Sequence, residues 1–129
     1  MSCARKKAIV LTGVSQGLGH ALVRAWASAG HMVYGCSRRK EALDVLERAF
    51  PDNFVGSAVD VADFGAVKSW SESVLERDPR IDLLCNNAGV AENLMRPWEI
   101  EATTFSNVMR INVDGVFHCI KAFVPAMVA

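Results

Sequence analysis

The sequence has few features that would indicate a metal site, a disulfide framework, nucleic acid binding or a membrane. Its 129 residues include four cysteines, which are widely scattered and form no Cys-x-x-Cys pair, so neither a zinc site nor a set of disulfides is expected. Lys plus Arg (14) balance Asp plus Glu (14), so no net field favours nucleic acid or an anionic membrane. The apolar run after residues 5–7 is too short for a signal peptide or a membrane span. We therefore expect a cytoplasmic protein with reduced, buried thiols and no metal, nucleic-acid or membrane partner.

Short apolar runs alternate with amphipathic helical patterns along the chain. Strands are predicted at residues 7–12, 31–36, 53–59 and 81–86. Helices are predicted between them, and a long helical segment, either two helices or one kinked helix, is predicted after Pro97. This alternation is typical of βαβ units, whose crossovers are right-handed and whose sheet is parallel. The sequence therefore predicts one α/β domain with a doubly wound parallel sheet of about four strands.

Each predicted helix is expected to bury one apolar face, and two helix ends carry capping signals. Gly30 stands where a C-terminal glycine cap belongs, and Asp63 can cap the N-terminus of the third helix. The predicted buried faces are Leu18, Ala21, Leu22, Ala25, Trp26 and Ala29 in the first helix, Phe64, Val67, Trp70 and Val74 in the third, and Phe105, Val108, Asn112, Val116, Cys119, Phe123 and Met127 in the long segment.

Three glycines, Gly13, Gly17 and Gly19, separate the first predicted strand from the first helix. Backbone N–H groups in such a turn, together with the positive end of the helix, can hold a pyrophosphate because no Cβ intervenes. A tight strand-to-helix connection is the plainer interpretation, but the strand before and the helix after favour a phosphate site. A P-loop or flavodoxin-type phosphate binder is disfavoured, because no Gly-Lys-Ser/Thr follows.

The spacing Thr12-Gly13-x-x-x-Gly17-x-Gly19 resembles the T-G-x-x-x-G-x-G signature of short-chain dehydrogenases/reductases. Ser37-Arg38, Asp60-Val61, Asn86-Asn87-Ala88-Gly89 and Asn112 are also similar to that family, so the resemblance spans nearly the whole chain. It implies a Rossmann-type NAD(P)-binding domain over residues 1–129, with Asp60 and the Val61 backbone at the adenine ring. The predicted cofactor-binding residues are Thr12, Gly13, Ser15, Gln16, Gly17, Leu18, Gly19, Ser37, Arg38, Arg39, Asp60, Val61, Asn86, Ala88 and Gly89.

The residues after the second predicted strand favour NADP(H) over NAD(H). In dinucleotide folds an acidic residue at this place takes the ribose 2′-hydroxyl, whereas an arginine accommodates a 2′-phosphate. Here the place reads Cys36-Ser37-Arg38-Arg39, and a guanidinium can grip a phosphate with two charge-assisted hydrogen bonds. NAD(H) is left open, because Gln16 stands where some NADP-preferring members of the family carry a basic residue.

Asn112 lies on the apolar face of the predicted long helix, where an unsatisfied amide costs roughly 1–3 kcal/mol. One interpretation is an amide bonded to a neighbouring carbonyl. The resemblance implies another, in which Asn112 interrupts the helix and supports catalysis by holding a water near the catalytic lysine. The three histidines form no metal or triad constellation and are assigned no role.

The resemblance also implies a catalytic tyrosine with a lysine four residues later, aided by a serine. The single tyrosine, Tyr34, is followed four positions on by Arg38, and strand rise alone separates the two by roughly 13 Å. They cannot form that pair.

We therefore expect the chain to be the cofactor-binding half of an NADP(H)-dependent oxidoreductase acting on a carbonyl or alcohol, without its catalytic part. The complete enzyme is expected to be a homo-oligomer, and this half is expected to self-associate through an apolar fourth-strand edge. The alternative is a non-catalytic nucleotide-binding or partner-binding module. The substrate-side loop at residues 91–98 does not identify a substrate.

Overall fold

The structure, a computed structural model, describes residues 4–91 and 94–129. Strands and helices alternate as predicted, although the fourth strand has three residues instead of six. The elements in chain order are β1 (Ala8–Thr12), α1 (Gly17–Ser28), β2 (Met32–Ser37), α2 (Lys40–Ala49), β3 (Phe54–Ala58), α3 (Phe64–Arg77), β4 (Leu83–Cys85), a 3-10 turn (Pro97–Glu99), α4 (Ala102–Met109), a π-helical segment (Arg110–Asp114) and α5 (Gly115–Val128).

The four strands form one parallel sheet in the order β3-β2-β1-β4. Val10 of β1 lies opposite Tyr34 of β2 on one side and Leu84 of β4 on the other. The chain therefore builds outward from β1 through β2 and β3 and then returns to add β4 beside β1. The point where the order reverses leaves a crevice at the carboxyl ends of the strands. The predicted α/β class with a doubly wound parallel sheet is confirmed.

Both faces of the sheet are covered by helices. Neighbouring residues of β1 point to opposite faces, and Val10 and Leu11 accordingly belong to different buried clusters. Val10 shares its cluster with Phe123 of α5 and with residues of α3, whereas Leu11 shares its cluster with Val23 of α1 and Leu43 of α2. Burial on both faces explains why β1 reads as an unbroken apolar run.

The predicted buried face of α1 is wrong in its angular position. Leu18 is 68% exposed, while the buried residues are Gly19, Val23 and Ala27. Ala21, Ala25 and Ala29 are exposed too, and only Leu22 and Trp26 of the predicted face are half-buried. Several alanines around this helix make its apolar pattern ambiguous, and the packing of Gly19 against the preceding loop sets the rotation instead.

Both predicted helix caps are confirmed. Gly30 has φ +89° and follows α1, and the Gly30 and His31 N–H groups donate to the carbonyls of Ala27 and Trp26, which is the Schellman pattern. The Asp63 carboxylate accepts a hydrogen bond from the Ala66 N–H at 3.2 Å, at the start of α3.

The long helix, Ala102–Val128, is the one helix of the described residues that is long and apolar enough to cross a membrane, by length and composition only. It has 27 residues, and its most apolar window has a mean hydropathy of 1.3. Cys119 and Phe123 are fully buried against the domain, and Ile111 is nearly so. Phe105, predicted on the buried face, is instead 58% exposed. Only 22% of the most apolar window is buried in the domain, and a single helix of this length and composition is weak evidence for a membrane span.

Burial also raises the pKa of two buried cysteine thiols. Burial, together with the nearby Cys119 thiol, raises the pKa of Cys36 to about 12. Burial raises the pKa of Cys119 to about 11. Both thiols therefore stay protonated near neutral pH and are poor nucleophiles. Cys85, also predicted to be buried, is only half-buried, and Cys3 lies outside the described residues.

Asp82 joins the start of β1 to the start of β4. Its Oδ2 accepts the Ala8 N–H at 2.9 Å, and its own N–H donates to the Ala8 carbonyl at 2.9 Å. The carboxylate also pairs with Arg5 and lies 3.8 Å from Arg80. The Ala8 N–H, with help from both guanidinium groups, lowers the pKa of Asp82.

This lowered pKa predicts a pH-dependent contribution to stability. A carboxyl group whose folded-state pKa lies below the unfolded value of about 3.9 stabilises the fold at neutral pH. That stabilisation disappears as the pH falls through the folded-state pKa. Asp82→Asn should therefore lower the urea midpoint at pH 7, and the difference from the unmodified chain should shrink at acid pH. Asp52→Asn, at an exposed aspartate, is the control. A difference that persists unchanged in acid would contradict the assignment.

Candidate cofactor site

A cleft of about 330 Å³ opens in the crevice at the carboxyl ends of the strands. It includes most of the predicted cofactor residues, and the exceptions are Thr12, Leu18, Gly19, Arg39 and Asn86. The lining residues are Gly13, Ser15, Gln16, Gly17, Cys36, Ser37, Arg38, Val59, Asp60, Val61, Asn87, Ala88, Gly89, Val90 and Ile111. Of the predicted substrate-side loop, residues 92 and 93 lie outside the described residues.

The three loop glycines are required for different reasons. Gly13 has φ +72°, and a Cβ there would lie 2.8 Å from the Ala88 Cα. Gly17 has φ +59°, and an added Cβ would meet no atom within 4 Å other than those of its chain neighbours and its own helix backbone, so it faces open space. Gly19 is helical, and its Cβ would lie 1.9 Å from the Gly13 carbonyl oxygen. Gly13 and Gly19 therefore allow backbone segments to touch, while Gly17 leaves room at the cleft.

The N-terminus of α1 lacks a side-chain cap. Gln16, the N-cap residue, makes no capping hydrogen bond, and no acidic residue lies in the first turn. The first N–H groups of a helix have no partner within the helix and carry its positive dipole end. These donors, beside the open space at Gly17, fit the diphosphate of a dinucleotide.

Thr12 lies below the cleft and joins the loops that follow β1 and β4. It is 1% exposed, and its hydroxyl accepts hydrogen bonds from the N–H groups of Asn87 (2.9 Å) and Ala88 (2.8 Å). The Asn87 side-chain amide in turn donates to the Gly13 carbonyl at 3.0 Å. The Thr12 side chain, predicted at the cofactor, is thus used to join the loops after β1 and β4.

Sequence reasoning selected Asn86, whereas the structure places Asn87 in the cleft wall and leaves Asn86 exposed outside it. The Asn-Asn-Ala-Gly motif contains both residues, and the motif alone does not indicate which asparagine lines the cleft. Adjacent residues at a strand end point in opposite directions, so the choice between them depends on where β4 ends.

Asn112 lies in the π-helical segment and fixes the wall that follows β4. Its Oδ1 accepts the Val90 N–H at 2.8 Å, and its Nδ2 donates to the Val90 carbonyl at 2.7 Å. The structure therefore shows the bonded-amide interpretation, and the helix is also irregular here. A role for Asn112 in holding a catalytic water stays a prediction.

His118, which was assigned no role, contacts the wall that follows β3. Its Nδ1 lies 2.7 Å from the Val61 carbonyl oxygen. The missed signal is the spacing Asn112, Gly115, His118, which places three residues on adjacent turns of one helix face.

Two polar residues where β2 ends, Ser37 and Arg38, also line the cleft. Arg38 lines it, and no carboxylate among the described residues pairs with the Arg38 guanidinium. The Arg39 Nη2 lies 3.5 Å from the Oε1 of Gln16, which lines the cleft, and the Arg39 N–H donates to the Ser37 hydroxyl at 3.1 Å. Of the two predicted arginines, Arg38 lines the cleft itself, and Arg39 contacts the lining through Gln16.

Comparison with known proteins identifies the family. The family model for short chain dehydrogenase matches residues 7–129. The chain belongs to the short-chain dehydrogenase family.

Similar proteins come from plants and bacteria. The NADPH-dependent pterin aldehyde reductase of Arabidopsis thaliana is 35% identical to this short-chain dehydrogenase chain over 128 residues, covering 98% of this chain and 53% of that protein. The structure of a short-chain dehydrogenase from Streptomyces avermitilis is similar with a TM-score of 0.90 and 32% identity, covering 98% of this chain and 46% of that one. A metagenomic short-chain oxidoreductase in complex with NADP has a TM-score of 0.88 and 28% identity, with coverages of 95% and 57%. The chain spans about half the length of these relatives.

Adding a methyl group at Gly19 should destabilise this chain, because the new Cβ would overlap the Gly13 carbonyl. Overpacking of this kind typically costs about 1–3 kcal/mol of unfolding free energy. Gly65→Ala is the matched control, since Gly65 also lies in the first turn of a helix but its nearest neighbour is 3.4 Å away. That variant should gain up to about 1 kcal/mol from helix propensity. Urea denaturation measures both, and equal changes would contradict the proposed contact.

Proposed function

We propose that this chain is the cofactor-binding half of an NADP(H)-dependent oxidoreductase that acts on a carbonyl or alcohol. The observation that carries the proposal is the uncapped N-terminus of α1 beside the open space at Gly17. Membership of an oxidoreductase family gives the reaction class. The nicotinamide cofactor, when bound, supplies or accepts the hydride, and the residues of this chain hold it.

Each wall of the cleft has a part in this proposal. The N–H groups at the start of α1 hold the diphosphate, and Asp60 and Val61 face the adenine ring. Arg38, with the Ser37 hydroxyl, takes the 2′-phosphate. The Arabidopsis relative is named as NADPH-dependent, and one similar solved structure contains NADP, which supports the same cofactor here. NADH, which lacks the 2′-phosphate, should bind more weakly.

The proton-transfer chemistry is assigned to residues that this chain does not contain. Tyr34 is 4% exposed in β2, and burial, with the Asp78 carboxylate, raises its pKa. It is a core residue that stays neutral. Because the single tyrosine of this chain is a core residue, a second candidate function is a nucleotide-binding module without catalysis. An in-frame serine and Tyr-x-x-x-Lys in the coding sequence after Ala129 would support the enzyme, and a genuine stop codon there would support the module.

Two exposed apolar surfaces support the proposal that this chain associates with other protein chains. β4 is the last strand in the sheet order, and its Leu83 is 41% exposed. Along the long helix, Phe105, Met109, Val113 and Phe117 are exposed at four-residue spacing. Exposed apolar groups of this kind mark interaction surfaces. We propose that the complete enzyme is a cytoplasmic homo-oligomer and that this chain alone self-associates through the β4 edge.

Binding of NADPH and NADH tests the assignment of Arg38. Calorimetric titration of the chain should show tighter binding of NADPH. Arg38→Ala should weaken NADPH binding roughly tenfold or more, in line with about 1.5–3 kcal/mol for hydrogen bonds to a charged group, and should leave NADH binding nearly unchanged. Arg24→Ala, at an exposed arginine of α1, is the control. Equal NADPH affinities with and without the Arg38 side chain would remove that residue from the site.

A further inference from the structure

The turn between β3 and α3 forms the wall of the cleft that contains Asp60 and Val61. Two hydrogen bonds fix the shape of this turn from within. The Ala62 N–H donates to the Asp60 Oδ1 at 2.9 Å, and the Asp63 N–H donates to the Asp60 carbonyl at 3.0 Å. Neither bond connects the turn to another element, so neither determines how far the wall stands from the rest of the cleft.

His118 of α5 supplies such a connection. Its Nδ1 lies 2.7 Å from the carbonyl oxygen of Val61, which is 57 positions earlier in the chain. Because a carbonyl oxygen can only accept, the Nδ1 must carry the hydrogen. The imidazole is half-buried, and its ring centroid lies 5.4 Å from that of Phe64, the first residue of α3. The ring is thus held between the turn and the helix that follows it.

Gly115 allows this contact to form. A Cβ at Gly115 would lie 2.6 Å from the Val61 Cγ2, so α5 can approach the turn this closely only with glycine there. His118 follows three residues later, on the same side of the helix. On the preceding turn Asn112 binds both backbone groups of Val90. One helix therefore holds both walls of the cleft, each through a different side chain.

We propose that His118 is a positioning residue for the adenine end of the cofactor. By binding the Val61 carbonyl it fixes the orientation of the wall on which Asp60 and Val61 lie. The inference rests on the proposed function, because it concerns the same cleft. In this proposal His118 holds the wall at Asp60 and Val61, which faces the adenine ring, and Asn112 holds the opposite wall at Val90.

Two substitutions separate the hydrogen bond from the packing of the ring. His118→Phe keeps an aromatic ring against Phe64 but has no donor, while His118→Asn places an amide N–H near the position of Nδ1. The Phe variant should weaken the binding of both NADPH and adenosine 2′,5′-bisphosphate by the same factor, about 2- to 12-fold for one hydrogen bond of about 0.5–1.5 kcal/mol. The Asn variant should recover most of this loss. His31→Phe is the matched control, because its Nδ1 lies 3.2 Å from the Lys7 backbone nitrogen, away from the cleft.

Amide hydrogen exchange adds a readout that global destabilisation would not reproduce. In the ligand-free His118→Phe variant, exchange should accelerate at Ala62 and Asp63 and stay unchanged at Ala88, on the opposite wall. Nitrogen NMR of the unmodified chain should show the hydrogen on Nδ1, which tests the bond even if a variant does not fold.

The possible failures are distinguishable. Undiminished binding by His118→Phe, failure of His118→Asn to recover binding, or a neutral ring with its hydrogen on Nε2 would overturn the role of His118 and leave the proposed function intact. If the unmodified chain bound neither NADPH nor the bisphosphate, the proposed function would fail, and the role of His118 with it.

Discussion

Close approach of three backbone segments at the carboxyl end of β1 is the constraint on which the rest of the structure depends. The start of α1 rests on the Gly13 carbonyl, and Gly13 rests on the backbone of Ala88. The Thr12 hydroxyl and the Asn87 amide hold this arrangement with hydrogen bonds between the loops after β1 and β4. These contacts position the N-terminus of α1 at Gly17, which lines the cleft, without a side-chain cap.

The long helix gives the cleft its second support. Parallel strands end in loops, and a loop without packing of its own would leave the walls of the cleft poorly defined. In the first turn of α5, His118 holds the loop after β3. In the π-helical segment, Asn112 holds the loop after β4. An irregular stretch of helix at a functional site is common, because it turns side chains toward groups that a regular helix would miss.

The architecture could be predicted from the sequence because strong local signals agreed with one another. The apolar run of β1, the glycines after it and the caps at Gly30 and Asp63 indicate the same alternation of strand and helix. Long-range packing was less predictable. The rotation of α1 depends on the contact between Gly19 and Gly13, which no pattern of alanines and leucines reveals.

The sequence motifs predicted where the candidate site lies, but they did not predict which contacts each side chain makes there. Thr12 and Asn87 belong to recognisable motifs, yet whether each faces the cleft or the loop beneath it depends on where β1 and β4 end. The contact of His118 with Val61 joins residues 57 positions apart, and the spacing Asn112, Gly115, His118 places three residues on one helix face without identifying Val61 as the partner.

Backbone N–H spectra of the chain, recorded while NADPH is added, test the central claim most directly. The account predicts saturable shifts that are largest for the N–H groups of residues 15–19, at the start of α1. Shifts confined to other regions, or no shifts with NADPH in millimolar excess over folded protein, would contradict it.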